Sequence, residues 1–96
     1  MTRRYFIAGN WKMNLDRAEA IALASGVAQR VGPASNVDVA VCPPALYLEA
    51  VKSAVEGSAV GVGAQNMHDK SDGAFTGELA GPMLVDVGCQ YVILGH

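Results

Sequence analysis

The residues with the plainest capacity for chemistry stand at two places: Asn10 and Lys12 at the end of the apolar run 5–10, and His96 two residues after Leu94. A lysine there can set a cation against an anionic substrate, although a loop lysine can equally be a solvated side chain. A neutral imidazole can donate a hydrogen bond to a carbonyl oxygen. It would then stabilise the negative charge that develops when the neighbouring carbon loses a proton. That chemistry is enolisation. Both places matter only if the fold brings them to one rim.

Four short apolar runs, 5–10, 37–42, 59–64 and 91–94, are bounded by polar residues or by Gly and Pro and read as strands. Helices fit between them. Ala20, Ala24, Val27, Ala28 and Val31 lie on one helical face entered through Asp16 and Glu19, and Gly32-Pro33 ends it. A second helix follows Pro43-Pro44 with Leu48, Val51 and Val55 on one side and Gly57 as its cap. A third is expected over 79–87, closed by Gly88, with Gly81-Pro82 in its interior.

Strict strand–helix alternation implies a parallel sheet with right-handed crossovers, its strands covered on both faces. Functional groups in such folds sit beyond the carboxyl ends of the strands. Period-two alternation places Asn10 with Phe6 and Ala8, Lys12 following, and groups Val92, Leu94 and His96 on one face. The fourth strand has an open outer edge in this reading. Gly61 and Gly63, alternating within the third strand, read as relief of crowding.

With seven basic and nine acidic residues interspersed and a net charge of −2, there is no basic stripe for nucleic acid and no polybasic cluster for a membrane. A small-molecule partner remains. Arg3 and Arg4 precede an apolar run too short for a signal peptide, so the expected location is cytoplasmic, with Cys42 and Cys89 as reduced thiols. Cys42 reads as a small buried apolar residue rather than a nucleophile. No GxGxxG, P-loop, HExxH or GxSxG motif occurs.

The connection 65–78 is long for a strand–helix loop, which favours a functional or interface role. It carries Met67 and Phe75 beside the turn Asp72-Gly73, a pattern that favours contact with a partner. His68, with no second ligand at metal spacing, reads as a surface histidine.

Five motifs then occur in one order: Ala8-Gly9-Asn10-Trp11-Lys12-Met13-Asn14, Cys42-Pro43-Pro44, Ala64-Gln65-Asn66, Gly73-Ala74-Phe75-Thr76-Gly77-Glu78 and Ile93-Leu94-Gly95-His96. In these the whole chain resembles the triosephosphate isomerase family. The resemblance implies an α/β fold: the first three βα units plus the fourth strand of a parallel (β/α)8 TIM barrel. Residues 1–96 would be the N-terminal part of a single barrel domain that runs to roughly 250 residues.

It further implies interconversion of dihydroxyacetone phosphate and glyceraldehyde 3-phosphate through an enediolate, a step of glycolysis and gluconeogenesis, with no metal or organic cofactor. Asn10 and Lys12 would bind substrate, and Lys12 and His96 would be catalytic. The loop 65–78 would form a homodimer interface, with Phe75, Thr76 and Glu78 in it and Thr76 reaching towards the neighbouring site. The family's serine at the start of the third helix is missing from Leu79-Ala80-Gly81-Pro82, and Val85 stands where a charged residue is usual. The family's catalytic glutamate has no counterpart in residues 1–96, so this chain by itself is expected to be inactive. The alternative is a structural piece that self-assembles or complements the rest of a barrel.

Overall fold

The computed structural model describes residues 4–95. Its elements are β1 (Phe6–Asn10), α1 (Arg17–Val31), β2 (Asp38–Cys42), α2 (Leu48–Ala54), β3 (Val60–Ala64), α3 (Gly81–Asp86) and β4 (Tyr91–Val92). The strands form one parallel sheet in the order β1-β2-β3-β4. This is the α/β architecture expected from the alternation of strands and helices. Among the described residues no strand covers the outer edge of β1 or of β4.

Register sorts the side chains onto two faces. Ala8, Ala40 and Gly61 stand level on one face, with Gly63 and Tyr91 paired further along it, while Val41 and Val62 and then Ala64 and Val92 line the other. The second face meets the helices. Val41, Val51, Val55, Val62 and Leu84 form its buried centre, with Ala20 and Ala24 of α1 fully covered. The alanines keep α1 slim where it packs against α2.

The first face is concave. In a flat sheet β1 and β4 would lie ~14 Å apart, three strand spacings, yet the rings of Phe6 and Tyr91 have centroids 4.8 Å apart. The sheet therefore curls as a barrel wall does. The alternating glycines of β3 make room for this. A Cβ on Gly63 would fall 2.8 Å from Cys42 Sγ and 3.2 Å from Tyr91 Cβ, and one on Gly61 would fall 2.8 Å from Tyr91 Cε2. Gly63→Ala should accordingly destabilise the protein by about 1–3 kcal/mol through overpacking. Urea unfolding would register this as a lower midpoint, and an unmoved midpoint would show that the concave face has slack.

Local signals explain most element ends. Asp16 caps α1: its carboxylate accepts the Glu19 N–H at 2.8 Å, and the Glu19 side chain accepts the Asp16 N–H at 3.0 Å. Gly32, at φ +75°, closes the helix through its N–H to Ala28 O. Before α2 a 3-10 turn at Ala45–Tyr47 intervenes, and the cap is Val55, with Gly57 at φ +82° turning the chain two residues later.

Strands β1, β2 and β3 each begin one residue later than the sequence predicted, and two elements are shorter by more. Helix α3 starts at Gly81 instead of residue 79, because Pro82 occupies its first turn, where a missing N–H costs no helical bond. Its cap, Ala80, offers no side-chain hydrogen bond, in keeping with the absent serine. Strand β4 ends at Val92 instead of residue 94. Its neighbour β3 ends at Ala64, whose carbonyl takes the Ile93 N–H at 2.9 Å, and beyond that the ladder has no partner strand.

Candidate active site

The carboxyl ends of β1, β2 and β3 are tied together by backbone and amide groups. Trp11 N–H donates to Cys42 O at 3.1 Å, carrying the chain past the end of β1 alongside β2. Lys12 then takes a left-handed backbone, φ +55°, and Leu15 another, φ +78°. For residues with a Cβ this conformation costs on the order of 1 kcal/mol each, and such strain gathers at functional sites.

Lys12 is held from both sides. Its N–H donates to Asn10 Oδ1 at 3.0 Å, and its carbonyl accepts Gln65 Nε2 at 2.8 Å. The same Gln65 nitrogen donates to Cys42 O at 2.8 Å. Since both neighbours are carbonyl oxygens, only the amide nitrogen can face them. Asn14 adds a bond from Nδ2 to Trp11 O at 2.8 Å.

A cleft lies over this arrangement, lined by Asn10, Lys12, Met13, Gln65, Asn66 and Ile93. Asn10 and Lys12 thus meet, as the strand-end rule requires. Lys12 is exposed. Among the described residues the carboxylate contacts are the Arg4–Asp38 ion pair at 3.2 Å and His68 Nε2 at 3.3 Å from Asp69 Oδ1, so no carboxylate neutralises the Lys12 ammonium. With Oδ1 committed to Lys12, Asn10 offers its Nδ2 to a ligand. The cleft can therefore receive an anion beside an amide donor.

His96 lies outside the described residues. Strand parity does not group Val92 with Asn10: Val92 is on the helix-facing side, opposite Asn10, and Gly95 at φ +73° ends the alternation. The assignment of His96 rests on the Ile93-Leu94-Gly95-His96 motif alone.

The loop 65–78 packs partly on its own domain. Met67 is half-buried against the core, not exposed as its place in the loop suggested. Likewise, the His68 side chain is only 25% exposed. Phe75 covers it, the ring centroids 4.2 Å apart, while the His68 N–H bonds to Leu79 O at 2.7 Å. Phe75 remains 43% exposed and Thr76 sits in an exposed turn. Glu78 accepts Asn66 Nδ2 at 3.5 Å, and its N–H donates to Phe75 O. Neither Phe75 nor Thr76 lines the cleft of Asn10 and Lys12.

Cys42 is 2% exposed. Burial chiefly, and Cys89 nearby, push its thiol above the usual range, against a backbone hydrogen bond at Gly63 that works the other way. A thiolate nucleophile is disfavoured there. Burial raises Cys89 as well, with Lys52 opposing, and both cysteines are free.

Gln65 is the site residue that residue-by-residue reading missed. Its signal was positional: it is the first residue after β3, on the rim where strand ends converge.

Parallel strands in sequence order, a curled wall and a cation at the carboxyl rim define a protein of the β/α-barrel class. A family model described as triosephosphate isomerase matches residues 5–96. The chain belongs to the triosephosphate isomerase family. It is 52% identical over 96 residues to a triosephosphate isomerase of Rhodopirellula baltica, covering 100% of this chain and 38% of that protein. To those of Magnetococcus marinus and Carboxydothermus hydrogenoformans it is 57% and 52% identical, in each case over 98% of this chain and 37% and 38% of the relative. The chain thus spans well under half the length of these curated relatives. Among the described residues no helix is long and apolar enough to cross a membrane.

Proposed function

We propose that these residues form part of the active site of a triosephosphate isomerase, which interconverts dihydroxyacetone phosphate and glyceraldehyde 3-phosphate through an enediolate. The observation that carries this is Lys12: a cation with no carboxylate partner among the described residues, on a clamped, left-handed backbone beside Asn10 in a cleft at the strand ends. Lys12 sets its charge against the substrate phosphate, and Asn10 Nδ2 donates to a substrate oxygen. His96 gives its proton to one oxygen of the enediolate and takes one back from the other, so that it ends neutral as negative charge moves between them. The base that removes the carbon-bound proton is not supplied by residues 1–96.

No metal or organic cofactor enters this reading. The exposed Phe75, with Thr76 and Glu78, forms the face of 65–78 that meets a second copy in a homodimer. Free cysteines accord with a reducing, cytoplasmic setting. Family membership favours the enzyme over a self-assembling structural piece.

The test uses a chimera in which residues 1–96 replace the segment they match in the Rhodopirellula baltica enzyme. In D2O with a chelator present, dihydroxyacetone phosphate should gain deuterium at the carbon that forms the enediolate. A folded chimera that converts no substrate and incorporates no deuterium would refute the proposal.

A further inference from the structure

Gln65 takes no part in the chemistry proposed above, yet both protons of its amide are committed to the rim. We propose that Gln65 is a positioning residue whose amide pins the left-handed backbone of Lys12 to the carboxyl end of β2, and so sets where the Lys12 cation stands. This rests on the reading of Lys12 as the ligand-binding cation.

A lone left-handed residue in a loop relaxes unless the peptide groups on both sides of its Cα are held. Asn10 holds the Lys12 N–H, but Asn10 is only two residues away and moves with the same turn. Gln65 holds the carbonyl from another element. It follows directly on β3, all five residues of which are buried, so its own backbone has little freedom. The second bond, to Cys42 O, fixes the amide plane against β2, and that carbonyl also takes the Trp11 N–H. Three strand ends are thereby locked into one frame around Lys12.

The requirement is narrow. Two donors on one flat group must reach two carbonyls at 2.8 Å each. A glutamate would set charge against both oxygens, and an asparagine is one methylene too short to span them.

In the chimera, Gln65→Met keeps length and volume and removes both donors. It should lower kcat/KM roughly five- to thirtyfold, mostly through KM, as Lys12 spends less time in the binding-competent backbone. In a Lys12→Ala background the same change should have little further effect, since there is no cation left to position. An equal loss in both backgrounds would make Gln65 a general support of the rim and overturn the proposal. So would an unchanged kcat/KM for Gln65→Met beside a crippled Lys12→Ala. If Lys12→Ala itself retains full activity, the functional reading of Lys12 fails, and this inference with it. Should Gln65→Met not fold, Gln65→Asn keeps the amide but not its reach, and carries the same expectations.

Discussion

Lys12→Ala in the chimera lowers kcat/KM for triose phosphate isomerisation by at least about 10²-fold, the scale on which losing one charge-stabilising group at a reacting centre acts. A unit charge pair at about 4 Å and an effective dielectric near 20 is worth ~4 kcal/mol. No carboxylate among the described residues draws the ammonium away, so most of that attraction is available to the substrate phosphate. The strained backbone fits this view. A solvated loop lysine has no need of a left-handed conformation held by Asn10 and Gln65. Steady-state kinetics check the expectation, and wild-type rates in the variant would remove Lys12 from the site.

His96→Gln is expected to lower kcat by about 10²- to 10⁴-fold, the usual contribution of a positioned proton-transfer group. Glutamine retains an N–H donor, so part of the carbonyl polarisation survives, but its amide cannot give up and regain a proton between two oxygens. The loss should therefore fall on kcat more than on KM. Near-normal kcat in a folded variant would mean that proton movement between the substrate oxygens does not pass through His96.

Much of the fold is legible in the residues themselves. β-branched runs with Gly and Pro boundaries mark the strands, and the Asp16–Glu19 pair marks the start of α1 to the residue. Of the misjudged ends, one is set by a neighbouring strand and one by a proline inside the helix. How far β4 extends depends on where β3 stops, and α3 begins at Gly81 because proline at 82 is tolerated in a first turn and not deeper. Only the first of these lies outside the segment concerned.

The site divides in the same way. Lys12 follows from its place after a strand, and Asn10 from strand parity. Parity misleads beyond Val92 because it assumes a strand that is no longer there. Gln65 could not be found by residue type: an isolated glutamine after a strand has no chemistry of its own. Its role depends on two carbonyls, 53 and 23 residues away in sequence, arriving within reach of one amide. From sequence the loop 65–78 reads as a partner surface, yet part of its apolar surface is used internally, with Met67 packed against the core and Phe75 over His68.

If residues 1–96 supply a working substrate rim to a triosephosphate isomerase, they should do so in the barrel of a relative. Turnover of the chimera built on the Rhodopirellula baltica enzyme tests it most directly, since every other part of that barrel remains that of its parent. The chimera is expected to fold and to interconvert dihydroxyacetone phosphate and glyceraldehyde 3-phosphate with kcat/KM close to the parent's. A chimera that folds with the parent's stability and shows no turnover would contradict it.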